Sequence, residues 1–94
     1  METSRTGDQG ADVIAEKNGK KIIVQCKLYS KPVGNKAVQE VFAAKQFYNG
    51  DLGIVITNND YTKSARQLAN STNILTNDLL RRKIHKIFNR KNLI

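Results

Sequence analysis

An acid, an amide and a lysine stand where a tight turn would bring them together: Asp12, Gln25 and Lys27. Hard oxygen donors can hold a divalent cation, and an ammonium group beside them can orient a water and steady negative charge developing on a phosphate. That is the chemistry of a magnesium-dependent phosphodiesterase. The same residues also fit a plainer account, in which Asp12 caps a turn, Gln25 makes an ordinary cross-strand hydrogen bond and Lys27 is a solvated strand residue. Register decides whether the three side chains can meet at all.

The turn is Asn18-Gly19, the pair best suited to two successive positive φ angles. It joins extended segments Asp12 to Glu16 and Lys21 to Leu28 and predicts a β-hairpin through a loop from Lys17 to Lys20. In that register Asp12 lies opposite Gln25, Ala11 opposite Cys26, and Gly10 opposite Lys27, where it leaves room for substrate. Strand alternation puts Gln25 and Lys27 on one face, and directly opposed Cβ atoms are only about 5 Å apart, so Asp12 joins them. A slip by one residue would send Gln25 and Lys27 to the face opposite Asp12.

Beyond the loop from Tyr29 to Gly34, Asn35 is placed to cap a helix. Its apolar residues Ala37, Val41, Ala44 and Tyr48, flanked by Val38 and Phe42, keep helical spacing up to a stop at Gly50. Leu52 to Thr57 is a short β-branched apolar run that predicts a buried strand, and strand, helix, strand implies a parallel crossover. Thr62 is placed to cap a second helix through about Ser71, and Ile74 to Thr76 reads as an edge strand, so the sheet is mixed. From Asn77 to about residue 91, Leu80, Ile84, Ile87 and Phe88 form the stripe of an amphipathic helix. Its other face is basic, with Arg81, Arg82, Lys83, Lys86, Arg90 and Lys91, and His85 among them.

The chain has 94 residues, sixteen Lys and Arg against eight Asp and Glu, a net charge of +8, one cysteine and 39% apolar residues. This describes one small domain over residues 1–94 and excludes a second catalytic domain or a wholly disordered chain. No apolar stretch approaches the roughly 20 residues of a membrane span, and the polar start lacks the apolar core of a signal peptide; the expected location is the cytoplasm. Cys26 has no partner for an internal disulfide. The surplus of cations makes polyanions the first partner to consider, with solubility alone as the bland reading.

The run Thr6-Gly7-Asp8-Gln9-Gly10-Ala11-Asp12-Val13-Ile14, then Val24-Gln25-Cys26-Lys27-Leu28-Tyr29-Ser30, Val33-Gly34, and Gly53-Ile54-Val55-Ile56-Thr57-Asn58 with Ala65 and Ala69, resembles the Mrr-type restriction endonuclease catalytic domain. That domain is a branch of the PD-(D/E)xK nuclease superfamily, and the resemblance spans residues 5–80. It implies an α/β fold with a restriction-endonuclease-like mixed β-sheet and flanking helices. It further implies Asp12 as the metal-binding acid, Gln25 in the place more often held by Glu, Lys27 as the catalytic lysine and the Cys26 backbone carbonyl as a further metal ligand. The Cys26 thiol is expected on the other face, in the core. Mg2+ is the implied cofactor, with Mn2+ as a substitute, and DNA the implied substrate.

Two features depart from the family pattern. No proline precedes Asp12, and only Met1 to Arg5 stand ahead of the glycine loop, where relatives carry a helix, often with an acid. The lack of that N-terminal helix implies a homodimer, or another chain that supplies the missing element. Asp8 is a candidate accessory acid. Lys36 and Gln39 on the first helix, with Arg81, Arg82 and Lys86 on the last, are candidate DNA contacts. The competing readings are a nuclease-derived DNA-binding module that does not cut, a Holliday-junction-resolvase-like nuclease, and a basic assembly protein.

Overall fold

Asn18 and Gly19 both take positive φ, 54° and 79°, and the chain reverses there. The computed structural model describes residues 2–5 and 11–82. Strands β2 (Val13–Lys17) and β3 (Lys20–Lys27) run antiparallel from Lys17↔Lys20 to Val13↔Val24, the register set by a two-residue turn. Ahead of β2, the described residues form a strand: β1 (Glu2–Arg5) pairs antiparallel with it, Glu2 against Glu16 and Arg5 against Val13. Nothing in the polar run Glu-Thr-Ser-Arg announces this strand; its conformation comes from the backbone edge that β2 offers.

On the other side of β3 the pairing is parallel. Strand β4 (Leu52–Thr57) aligns Gln25 with Val55 and Lys27 with Thr57, and β5 (Ile74–Thr76) aligns with β4 in turn. The sheet is therefore mixed, in the order β1-β2-β3-β4-β5. Helices α1 (Asn35–Phe47) and α2 (Lys63–Thr72) pack on the same face of it, as two crossovers moving in one direction require. Val38, Val41, Val55, Ala65 and Ile74 are sealed between helices and sheet.

Helix boundaries show where local chemistry acts. Thr62 caps α2, its Oγ1 accepting from Ala65 N–H at 3.0 Å. Asn35, however, is the first residue of α1 and not its cap. Gly34 occupies the cap in an extended conformation with no side-chain bond, because Val33 is held extended against Tyr61 by backbone bonds of 2.9 Å to Asp60 and Thr62. At the other end, Asn49 takes the left-handed turn with φ 55°, one residue before Gly50. Residues 77–82 are helical, and the remainder of the expected basic helix, with His85 and Lys86, lies outside the described residues. No described helix is long and apolar enough to cross a membrane.

Candidate active site

Lys27 ends β3 and Gln25 precedes it by one pleat, so both side chains rise on the face that carries α1. Ile23, one pleat earlier, packs against Ala44 of α1 and fixes that phase. The end of β3 is held by its neighbour. Tyr29 N–H donates to Asn58 Oδ1 at 3.0 Å, and Asn59 Nδ2 donates to the Tyr29 carbonyl at 3.3 Å, tying the loops after β3 and β4 together.

Gln25 is 6% exposed. Its Nε2 donates to Glu40 Oε1 of α1 at 3.4 Å, while its Oε1 is buried with no hydrogen-bond partner among the described residues. Lys27 Nζ stands 3.3 Å from the same Glu40 Oε1 and 5.8 Å from the centre of the Tyr29 ring. Burial disfavours the ammonium, but the Glu40 hydrogen bond and charge, helped by Tyr29, outweigh it and hold Lys27 above the ordinary lysine value. Lys27 is therefore a cation at neutral pH, able to donate hydrogen bonds but not to accept a proton.

Asp12 departs from simple cross-strand opposition. The ladder closes at Val13↔Val24, and Asp12 N–H also donates to the Val24 carbonyl at 3.0 Å, so two residues face one, as in a β-bulge. The extra residue shifts the alternation: Ala11 packs with Ile14, Ile23 and Ala44 on the helix face, where an unbroken strand would put it on the other. The expected opposition of Ala11 to Cys26 is thereby lost. The Asp12 carboxylate instead accepts from Cys26 N–H at 2.7 Å, which brings it onto the backbone between Gln25 and Lys27. The Cys26 side chain, expected in the core, is exposed, since its face of β3 is the one without α1 or α2.

The remaining candidates are spread out. Lys36 and Gln39 are exposed on α1, and it is the next residue, Glu40, that turns to Gln25 and Lys27. Arg82 reaches Asp78 at 3.8 Å. Arg81 lines a cavity of about 350 Å³ with Thr57, Asn58, Tyr61 and Asn77, beside the Lys27 end of β3. Asp8, Gly10 and Lys86 lie outside the described residues. Glu40 itself was detectable: it sits three residues after Ala37 and four before Ala44, an acid on the buried stripe of its helix.

A second polar cluster borders that cavity. Arg66 bridges Asp60 at 2.5 Å and Asp78 at 2.6 Å, and Tyr61 donates its hydroxyl to the Val55 carbonyl at 2.9 Å and also touches Asn77 Oδ1. Asn77 Nδ2 donates to the Thr57 carbonyl at 3.2 Å, which fastens the start of the last helix to the end of β4.

A mixed sheet whose central antiparallel pair ends in an acid, a buried amide and a charged lysine belongs to the restriction-endonuclease-like class of nuclease folds. A family model described as "Mrr_cat: Restriction endonuclease" matches residues 1–83, and the chain belongs to that family. The fold is also that of a solved structure described as "Crystal Structure of Protein of Unknown Function AF1548", with a TM-score of 0.63 and 24% identity. The match covers 80% of this chain and 47% of the other, so the chain spans about half the length of that protein. No curated protein matches.

Nucleases of this superfamily generally use divalent metals, and the donors here fit one. Gln25 Oε1 is a buried oxygen with no hydrogen-bond partner among the described residues, the Asp12 carboxylate lies on the Cys26 backbone, and hard cations favour carboxylate and carbonyl oxygens. No group of three or more His, Cys, Asp or Glu residues that could hold a metal occurs among the described residues, so amide and backbone oxygens have to complete the set.

Proposed function

We propose that residues 1–94 form one nuclease unit, a DNA endonuclease that hydrolyses phosphodiesters with Mg2+, or with Mn2+ as a substitute. The observation that carries this reading is Gln25 Oε1, buried without a hydrogen-bond partner among the described residues and next to a lysine that Glu40 keeps charged. In this reading Asp12, Gln25 Oε1 and the Cys26 carbonyl hold the ion, and Asp8 is an accessory acid. The bound ion supplies Lewis-acid polarisation of the scissile phosphate. Lys27 orients the attacking water and stabilises charge on the phosphoryl oxygens through its ammonium. Lys36, Gln39, Arg81, Arg82 and Lys86 contact the DNA backbone. The working state is cytoplasmic, and dimeric or completed by another chain; the association is supported by β1, the outermost strand among the described residues, because such an edge accepts a further strand.

Nicking of supercoiled plasmid, with Mg2+ and with chelator, tests the reading. Wild type is expected to nick only with the ion, and Asp12→Ala and Lys27→Ala to lose about a hundredfold or more while still binding DNA. Undiminished cleavage by either variant removes the assignment. Binding without cleavage in wild type selects the non-cutting module, and preference for four-way junctions over linear duplex selects the junction-resolving nuclease.

A further inference from the structure

Glu40 is the sole acid of α1, and its Oε1 is within 3.4 Å of Gln25 Nε2 and 3.3 Å of Lys27 Nζ. A carboxylate offers only acceptors, so the side chain at 25 can meet it only through N–H. The amide of Gln25 turns as a unit. With Nε2 committed to Glu40, Oε1 faces away from it and is left buried without a partner among the described residues. A glutamate at 25 would set two carboxylates against each other in a partly buried place, which disfavours the charge of both. A neutral amide avoids that conflict, and one acid then serves both the amide and the ammonium.

We propose that Glu40 is a positioning residue: it holds Gln25 so that its amide oxygen is free for the divalent ion, and holds Lys27 beside it. The amide at 25 and the acid at 40 are thus a matched pair on two elements. This rests on the nuclease reading above. It goes beyond that reading by assigning to α1 a part in the ion site.

The test is Mn2+ titration calorimetry on the full chain, beside plasmid nicking resolved into kcat and KM, with circular dichroism to confirm the fold. Glu40→Ala frees the amide to turn its NH2 inward, and Mn2+ affinity is expected to fall on the order of tenfold. Glu40→Gln still accepts from Gln25 Nε2 through its own amide oxygen. It is expected to recover most of the Mn2+ affinity while kcat stays low, because Lys27 has lost its counter-charge; KM is expected to stay near wild type. A helix that merely needed a polar residue at 40 would not divide ion affinity from kcat in this way. Wild-type Mn2+ affinity and kcat in Glu40→Ala overturn the proposal. So does an affinity loss in Glu40→Gln as large as in Glu40→Ala, which makes Glu40 a direct ligand. Should Glu40→Ala fail to fold, the near-isosteric Glu40→Gln carries the test alone. The underlying nuclease reading fails separately, if Asp12→Ala binds Mn2+ and nicks as wild type does.

Discussion

Lys27 and Arg66 show two uses of a cation in one small chain. Lys27 is held beside an oxygen that no described residue satisfies, whereas Arg66 satisfies two acids, Asp60 and Asp78, and lies 5.1 Å from the Tyr61 ring centre. Burial raises the Asp78 carboxyl, but bonds from Thr76, Arg66 and the Leu79 N–H outweigh it, so its folded pKa lies below the ordinary 3.8. The folded chain then binds this proton less readily than the unfolded one. The stabilisation is complete above the ordinary value and is lost as pH falls through the folded value. Arg66→Ala is therefore expected to cost roughly 0.5–1 kcal/mol at about pH 6, and less near pH 3, in urea unfolding followed at both pH values. At this scale the sequence was readable for the placement of Gln25 and Lys27 on one face of β3, which strand alternation and the turn at Asn18-Gly19 determine. It was not readable for the bulge at Asp12, which depends on how the hairpin end meets the backbone of β3; Glu40 stands out as an acid on a buried stripe, but its partners, on another element, could not be foreseen. Cys26 misled for a related reason: alternation assigns its face correctly, but only tertiary packing decides whether that face is covered.

Among the elements, β2, β3, β4 and β5 follow from hydrophobic pattern and turn chemistry, and α2 from the Thr62 cap. Thr62→Ala is expected to lower stability by about 1 kcal/mol, with Thr62→Ser close to neutral, in denaturant unfolding. Gly53 makes a separate case. A Cβ there would lie 2.8 Å from Ile74 Cδ1 and 2.9 Å from Val41 Cγ1, so β4 can approach α1 and β5 only without a side chain at that position. Both neighbours are fully buried and have little room to retreat. Gly53→Ala is expected to destabilise by about 1–3 kcal/mol, and Gly53→Val by more, measured by the same unfolding curves. Strand β1 could not be foreseen, because four polar residues carry no period and the reason for their extension lies in β2. The start of α1 was placed one residue off, because a bridge from Val33 to Tyr61, remote in sequence, decides where the extended chain ends.

At the scale of the whole molecule, a charge of +8 on 94 residues makes DNA affinity strongly salt-dependent, if phosphates are what the cations meet. Arg81→Ala is expected to weaken binding equally across DNA sequences and to lower the slope of log Kobs against log salt by about 1, and Arg82→Ala to do so by less, read by fluorescence anisotropy across a salt series. Arg82 is already engaged by Asp78, so the larger change belongs to Arg81. Asn77 adds a mechanical consequence. Bolted to Thr57 and Tyr61, it makes the root of the basic segment and the tip of β4 a single rigid corner, one strand away from Lys27. In the proposed reading, a polyanion that draws on Arg81 therefore pulls, through Asn77, on the end of β4, the strand that borders the lysine.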